Sequence, residues 1–367
     1  MIEASLRVCG RSVRSAVLAT VAVLVGFSNP AMARQKIVFD TDSAYFLDDG
    51  AALVMLLQRQ DLVEIVGVTV VSGNVWARQG AEYMLHLLEL TDNVQVPLYL
   101  GAQRPLVNNP ERARHQAKSL GGLSYTGAFD LPEIRSDADL EAPFGGQFSN
   151  VRPRRRDAVS FLIETIEQFP GEVTILALGP MTNISMALNL RPDLAPLIKS
   201  LVFMGGALRV PGNTSPYAEF NFWFDPEAAQ HVLRSAIPEK VMFGLDITNR
   251  APFTKAEFDR IVASDTPITA ILREDDRRRG AWGFAENPGG TFFIWDCLAA
   301  GYLLDPGFVT SEETVLVDVS TTLGPSYGAT LEPVGGGPAG LLPTRVMFDL
   351  DYPRFFELYR DLLTRWP

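Results

Sequence analysis

Four carboxylates lie within ten residues near the start of the chain: Asp40, Asp42, Asp48 and Asp49. The segment follows an apolar, strand-like run at 37–39 and precedes an apolar, helix-like run at 51–57. Side chains at such a strand-to-helix junction converge on the ligand crevice of an α/β sheet. Carboxylates held together repel one another, and either a raised pKa or a hard divalent cation with oxygen ligands relieves the repulsion. Four acids in one segment favour the cation.

The two later acids also have an ordinary structural interpretation. Asp48 could cap the following helix, and Asp49 could complement the helix dipole in its first turn. That interpretation does not extend to Asp40 and Asp42. A carboxylate at the end of a buried strand has no helix to cap, and it loses its hydration unless something binds it.

Apolar runs alternate with helix-like segments along most of the chain. The predicted strands are 65–71, 173–178, 201–204 and 241–245, and the predicted helices are 79–90, 157–168, 182–190, 226–235 and 353–363. The strand runs are continuously apolar, which is typical of strands buried on both faces of a parallel sheet. We therefore expect an α/β fold in a single large domain, with a doubly wound, mainly parallel sheet flanked by helices.

The first 33 residues have the pattern of a secretory signal peptide, because three arginines precede an apolar run at 16–27 and small residues follow at 31–33. We predict a signal peptide over 1–33 and a catalytic domain over 34–367, exported to the periplasm or secreted. An uncleaved membrane anchor is the alternative. The apolar run is short beside the roughly 20 residues of a membrane-spanning helix, so no stable membrane insertion is expected after cleavage.

The composition argues against nucleic acid as a partner. The chain has 32 basic and 43 acidic residues and a net charge of −11, and the part after residue 33 has a net charge of −13. Such a surface repels phosphate backbones. Two arginine runs, at 152–156 and 277–279, are interpreted as solvated surface, because short basic runs usually are. The same part retains one cysteine, Cys297, so an internal disulfide is excluded.

A second group of polar residues follows other predicted strands, where core packing does not require them. The group consists of Asn74, Asn213, Glu219, Asn221 and Asp296. A pocket with acids on its floor and amides on its wall suits a polyhydroxylated ligand, because each sugar hydroxyl both donates and accepts a hydrogen bond.

These residues occur in motifs whose order and spacing resemble the inosine-uridine type nucleoside hydrolases over nearly all of the chain after residue 33. The motifs are Asp40-Thr41-Asp42 with Asp48-Asp49, Val71-Ser72-Gly73-Asn74, Leu178 to Ile184, Met204-Gly205-Gly206, Ala218 to Ala229, Gly244-Leu245-Asp246 and Trp295-Asp296. The resemblance implies one bound Ca²⁺ and hydrolysis of the N-glycosidic bond of ribonucleosides. A homodimer or homotetramer is also common in the family.

The resemblance assigns a role to each matching position. Asp42, Asp49, Asp296 and the main-chain carbonyl of Leu178 would bind the calcium, and Asp42 would be the general base for the attacking water. The ribose hydroxyls would be held by Asp48, Asn74, Asn213, Glu219, Asn221 and Asp296, with Met204 against the sugar. The chemistry requires such a site, because departure of the base leaves an oxocarbenium-like ribose that carboxylates stabilise.

The chain also departs from the family pattern. The acid segment contains Ser43-Ala44-Tyr45-Phe46-Leu47 between Asp42 and Asp48. Many relatives have a shorter Pro-Gly turn there, and others have five intervening residues that usually include a Gly and a further Asp. Trp295 replaces the histidine that protonates the leaving base in base-nonspecific members, and purine-preferring members stack the base on a tryptophan there. We therefore predict a catalytic role for Trp295 and a purine preference; the alternative is a core aromatic. His115, in the loop that leads to Gly121, is the candidate imidazole acid.

Two other functions remain as alternatives. An exported nucleoside- or sugar-binding protein would keep the pocket without turnover. A haloacid-dehalogenase-type phosphohydrolase also begins with Asp-x-Asp after a strand, but its motif requires Thr or Val where Ala44 stands, and it leaves Glu219 and Asn221 unexplained.

Overall fold

The structure is a computed structural model that describes residues 34–44, 46–143, 146–280 and 283–365. The predicted signal peptide, 1–33, lies outside the described residues. Residues 34–367 form one compact unit. In the described part of the chain, no helix has both the length and the apolar character needed to cross a membrane.

The central sheet has eight strands in the order β3-β2-β1-β4-β5-β6-β12-β9. All neighbouring pairs are parallel except β12 and β9, which are antiparallel. Two small antiparallel sheets pair β7 with β8 and β10 with β11. The strands are β1 (Gln35–Thr41), β2 (Val63–Val70), β3 (Leu98–Leu100), β4 (Val173–Ala177), β5 (Ser200–Met204), β6 (Lys240–Phe243), β7 (Pro252–Thr254), β8 (Thr291–Phe293), β9 (Val309–Val315), β10 (Asp318–Val319), β11 (Thr330–Leu331) and β12 (Thr344–Leu350).

Helices cover both faces of the central sheet. They are α1 (Ala51–Leu57), α2 (Ala77–Leu90), α3 (Pro110–Leu120), α4 (Ala158–Gln168), α5 (Thr182–Leu190), α6 (Phe220–Phe224), α7 (Pro226–Leu233), α8 (Leu245–Thr248), α9 (Lys255–Val262), α10 (Pro267–Arg278), α11 (Trp295–Leu304) and α12 (Tyr352–Thr364). In β1, Ile37 and Phe39 pack into one hydrophobic core with α1, α2, α11 and α12, while Val38 packs into another with α4, α5 and α7. The doubly wound, mainly parallel sheet is thus confirmed.

The start of α1 differs from the helix-cap interpretation. Residues Phe46–Gly50 form a short π-helix that runs into α1, and the N-cap position of α1 is Gly50, which has no capping side chain. Asp48 therefore lies inside the π-turn and does not cap the helix. A π-turn adds a residue to the helical turn, and such turns are frequent at functional sites.

A second difference concerns the end of β6. The predicted strand extends to Leu245, whereas the strand ends at Phe243 and Leu245 begins the short helix α8. A buried apolar run does not by itself distinguish a strand from the helix that follows it.

The strand order reverses direction between β1 and β4, because the chain builds β2 and β3 on one side of β1 and β4 to β6 on the other. In an open α/β sheet, ligands bind at such a switch point, outside the carboxyl ends of the strands. The segment after β1 carries Asp42, and the residue after β4 is Leu178. The topology therefore brings the first acid motif and the Leu178 motif to one edge of the sheet.

Candidate active site

Asp40 connects β1, β2 and α5 through hydrogen bonds beneath the site. Its side chain is fully buried, and Oδ1 accepts hydrogen bonds from Thr69 Oγ1 at 2.5 Å and Asn183 Nδ2 at 2.8 Å. Asn183 in turn accepts a hydrogen bond from the main-chain N–H of Ala102 at 2.8 Å. Burial raises the pKa of Asp40 to about 7. Asp40 therefore positions β1 against β2 and α5, and it is one acid of the motif that does not reach the pocket wall.

Asp42 lies buried between two glycines. A Cβ atom at Gly73 would stand 1.9 Å from Asp42 Oδ2, and one at Gly179 would stand 2.8 Å from Asp42 Cγ. Asn74 holds the carboxylate from one side, because its N–H donates to Oδ2 at 2.8 Å and its Nδ2 donates to Oδ1 at 3.2 Å. Both glycines are required here for space, since neither has a positive φ.

Three further carboxylates meet beside Asp42. Asp48 Oδ1 accepts a hydrogen bond from the main-chain N–H of Asp296 at 2.7 Å, and Thr41 Oγ1 donates to Asp49 Oδ1. The side chain of Asp49 also lies beside that of Asp296. These contacts join the π-turn after β1 to the first turn of α11, although Asp48 and Asp296 are 248 residues apart in the chain.

The acids of the cluster all have raised pKa values, and burial is the largest cause for each. Burial raises the pKa of Asp49 to about 6. Burial and repulsion from Asp49 raise the pKa of Asp48 to about 8 and that of Asp42 well above its usual range. For Asp296, repulsion from four other carboxylates adds to burial in raising the pKa. The protein thus holds more negative charge here than its own side chains neutralise.

The polar wall of the site comes from the segment around α6. Glu219 is the N-cap residue of α6, and its carboxylate accepts hydrogen bonds from three main-chain N–H groups, of Gly206, Asn221 and Phe222, at 2.7, 2.7 and 3.1 Å. Asn221 Nδ2 donates to the carbonyls of Leu178 at 2.9 Å and Met204 at 3.1 Å. Asn221 therefore bridges the carboxyl ends of β4 and β5.

One pocket of about 390 Å³ brings most of the predicted site residues together. Ten of the eleven line it: Asp48, Asp49, Asn74, Leu178, Met204, Asn213, Glu219, Asn221, Trp295 and Asp296. Asp42, the eleventh, lies fully buried behind Asn74 and Asp49. Asn213 and Asn74 also have structural partners, because Asn213 Oδ1 accepts the N–H of Phe220 at 2.9 Å and Asn74 holds Asp42.

Trp295 lies on the wall of this pocket and is half-buried. Its ring stacks on Phe293 with 5.6 Å between ring centroids and 24° between planes, and its Nε1 donates to Asn249 Oδ1 at 3.2 Å. One face of the indole is thus supported and its orientation is set. By contrast, Trp76 and Trp223 pack in a separate aromatic cluster.

Seven further residues, to which the sequence motifs assign no role, also line the pocket: Ser124, Tyr125, Phe220, Arg279, Thr291, Phe292 and Phe293. Tyr125 donates from its hydroxyl to Asn74 Oδ1 at 2.9 Å, and its ring lies 4.8 Å from that of Phe220. Gly121, Gly122 and Gly127, all with positive φ, mark the loop that carries Tyr125. The glycine pattern was the available signal for this loop.

The two predictions about basic residues near the site were wrong. His115 is exposed on α3 and lines a different cavity with Arg112 and Tyr327, because α3 continues to Leu120 before Gly121 ends it. Arg279 belongs to a run that was interpreted as solvated surface, yet it lines the main pocket. It is the C-cap residue of α10 and is half-buried, whereas Arg277 and Arg278 are exposed.

The donor set of the site fits a hard cation. Over the described ranges, no three or more side chains of Asp, Glu, His or Cys are arranged as a ready metal-binding group. The predicted set, however, combines three carboxylates with the carbonyl of Leu178, which keeps a lone pair beyond its bond from Asn221. Hard divalent cations prefer such oxygen ligands, and the surplus negative charge favours one here.

Comparison with known proteins identifies the family of the chain. The profile of the family described as "Inosine-uridine preferring nucleoside hydrolase" matches residues 37–357. The pyrimidine-specific ribonucleoside hydrolase RihB of Escherichia coli O1:K1 / APEC is 30% identical over 339 residues, which cover 90% of this chain and 97% of that protein.

Solved structures give the same result. The purine-preferring ribonucleoside hydrolase from Gardnerella vaginalis superimposes with a TM-score of 0.73 and 25% identity, covering 90% of this chain and 98% of that one. An inosine-guanosine nucleoside hydrolase superimposes with a TM-score of 0.73 and 26% identity, covering 89% and 98%. The chain therefore belongs to the inosine-uridine preferring nucleoside hydrolase family.

Proposed function

We propose that the pocket hydrolyses the N-glycosidic bond of ribonucleosides and releases the free base and ribose. The family assignment makes the chain a glycosidase that acts on N-glycosyl compounds. The observation that carries the proposal is the convergence of the acid cluster and the α6 wall on one pocket at the switch point of the sheet. The same family match leaves the haloacid-dehalogenase alternative without support.

The residues of the chain divide the work as follows. Asp42 Oδ1, whose hydrogen bond from Asn74 is the longer of the two, accepts a proton from the water that attacks the anomeric carbon. Departure of the base leaves positive charge on the ribose ring, and Asp48 and Glu219 stabilise it by charge. The amides and acids of the wall bind the ribose hydroxyls, and contacts that tighten as the ring flattens favour the transition state.

The cation of this site is proposed to be calcium. Asp42, Asp49, Asp296 and the carbonyl of Leu178 would hold it, because they are hard oxygen donors in a group with surplus negative charge. When bound, the cation would orient a water and make it more acidic. Binding is measured directly by calorimetry with Ca²⁺ on chelator-treated protein.

The direct test is incubation of purified protein with a panel of nucleosides, with and without a chelator, following free base and ribose. Hydrolysis that stops with the chelator and returns with calcium supports the proposal. Ligand binding without release of base would instead support the alternative of an exported binding protein. The loss of turnover would then be attributed to the Ser43-to-Leu47 segment or to Trp295, where the chain departs from the family pattern.

A purine preference is proposed from the aromatic wall of the pocket. Trp295, supported by Phe293, presents a large flat surface, and the bicyclic purine covers more of it than a pyrimidine. The relatives named above include both pyrimidine-specific and purine-preferring enzymes, so overall identity does not decide the base. The nucleoside panel tests this proposal through the ratio of kcat/KM values for inosine and uridine.

We also propose that the protein is exported after removal of residues 1–33, because their basic, apolar and small-residue regions follow the order of a signal peptide. N-terminal sequencing of protein from cell fractions tests this, and an N-terminus at Arg34 in the periplasm or medium is expected. A homodimer or homotetramer is proposed from the family resemblance alone. Light scattering in solution measures it.

A further inference from the structure

The leaving base needs a partner that stabilises the charge it gains, and the candidate acid His115 lines a different cavity. When the bond between the anomeric carbon and the base nitrogen breaks, the electron pair stays on the base, which becomes an anion unless it is protonated. Along the described stretches of the chain, no histidine lines the pocket. The indole of Trp295 is only a weak N–H donor, and that N–H already bonds Asn249.

Arg279 is the only positively charged side chain on the pocket wall among the residues that the structure describes. It is half-buried, and its guanidinium carbon lies 5.9 Å from the ring centroid of Phe292. Thr291, Phe292, Phe293 and Trp295 line the same pocket. The cation therefore shares the aromatic part of the pocket, where a planar base would stack.

The two preceding arginines behave differently from Arg279. Arg277 and Arg278 are exposed, and both form ion pairs with Glu274 on the outer side of α10. Arg279 follows the end of the helix and interacts electrostatically with Asp48 inside the pocket. A half-buried arginine beside a carboxylate and an aromatic surface can bind a ligand that develops negative charge.

We propose that Arg279 is a catalytic residue that donates hydrogen bonds to the base and stabilises the negative charge that forms on it as the glycosidic bond breaks. This inference rests on the proposed function and deepens it. The guanidinium stabilises this charge by donating hydrogen bonds and does not itself transfer a proton. The attacking water forms the new bond to the anomeric carbon and gives its proton to Asp42, and the released base takes its proton from solvent.

A substrate with a stable anionic leaving group separates this role from a structural one. The base of inosine is a poor leaving group and needs charge stabilisation, whereas the p-nitrophenolate of p-nitrophenyl β-D-ribofuranoside is stable in water. We compare Arg279→Gln with wild type on both substrates. The matched control is Arg278→Gln, which makes the same change at the neighbouring exposed position.

We expect the Arg279 variant to lose activity on inosine and to keep it on p-nitrophenyl riboside. Arg279→Gln loses on the order of 100-fold in kcat on inosine, as for removal of one preorganised donor in other enzymes, and changes little on p-nitrophenyl riboside. Arg279→Lys recovers part of the inosine activity, since it keeps the charge without the planar fork. Arg278→Gln matches wild type on both substrates, and circular dichroism confirms that the variants are folded.

The other outcomes decide against the inference. An equal loss on both substrates would show that Arg279 only supports the pocket, and an unchanged kcat on inosine would show that the base leaves without it. If wild type cleaves neither substrate, the proposed function fails and the inference with it. If the wild type cleaves inosine and either of the first two results is obtained, the proposed function stands and only the inference about Arg279 is overturned.

Discussion

Asn74 holds Asp42 through two hydrogen bonds, from its main-chain N–H at 2.8 Å and from its side-chain amide at 3.2 Å. The same side chain accepts a hydrogen bond from Tyr125 at 2.9 Å. Asn74 was predicted to bind ribose, and it also lines the pocket. Its side-chain amide nevertheless donates to Asp42, the proposed general base. We therefore expect Asn74 to affect activity mainly through the orientation of Asp42.

Replacement of Asn74 by alanine should therefore lower kcat more than it raises KM. The variant keeps the main-chain bond to Asp42 Oδ2 and loses the bond to Oδ1. A general base with freer orientation costs on the order of 10-fold to 100-fold in rate. Steady-state kinetics on inosine measures the split, with Asn150→Ala as an exposed control. An increase in KM at constant kcat would contradict the positioning role.

Replacement of Gly73 by alanine should displace Asp42, because the new Cβ would stand 1.9 Å from its Oδ2. The crowding is expected to lower the free energy of unfolding by about 1–3 kcal/mol and to abolish most activity. Gly289→Ala is the control, since a Cβ there meets nothing within 4 Å. Urea unfolding and activity assays check both effects, and a fully active Gly73→Ala protein would disprove the predicted displacement.

Calcium should raise the thermal stability of the protein. A ligand at 100 times its Kd stabilises the folded state by about 2.7 kcal/mol, which corresponds to a rise in Tm on the order of 5 °C. Asp49→Asn should remove most of the rise, because one carboxylate of the proposed set is lost. Asp265→Asn, a change at an exposed side chain, should leave it intact. Equal shifts in the two variants would argue against the proposed ligands.

Trp295→Ala should reduce kcat/KM for inosine by about 10-fold or more and affect uridine less, because the purine loses the larger stacking surface. Trp295→Phe should recover part of the inosine activity, since it restores an aromatic face. The ratio of the two substrates is the measurement. If the alanine variant loses both activities in proportion, Trp295 packs the pocket without choosing the base.

Lys240 offers a prediction about stability that is independent of the site. Its side chain is almost fully buried, and burial lowers its pKa from 10.5 to about 8. Below pH 8 the folded protein carries the full cost of the buried charge, up to about 3 kcal/mol, and stability rises as the pH increases from about 8 to 10.5. Lys240→Met should be more stable than wild type at pH 7.

The difference between Lys240→Met and wild type should shrink towards pH 10.5, since the folded wild type has already lost the proton and the unfolded chain loses it last. Urea unfolding of both proteins at pH 7 and pH 10 measures the change. If the difference in the free energy of unfolding is equal at the two pH values, the charged form of Lys240 does not destabilise the folded protein.

The amino-acid sequence by itself determined the fold and the members of the acid cluster. Ile37, Val38 and Phe39 are apolar without alternation, and only a strand covered on both faces buries all three, so the layered fold follows from local pattern. The acid motif and the α6 motif are likewise contiguous runs. Their residue types indicate a cation and a sugar wherever the fold places them.

The tertiary structure alone decided which distant side chains share the pocket. Nothing local separates Arg279 from Arg278, yet the end of α10 turns the first into the pocket and leaves the second in solvent. His115 and Tyr125 are ten residues apart, and the termination of α3 at Gly121 directs only Tyr125 to Asn74. The direction in which a side chain points depends on where its helix ends and on what packs beside that helix. Both are long-range properties of the folded chain.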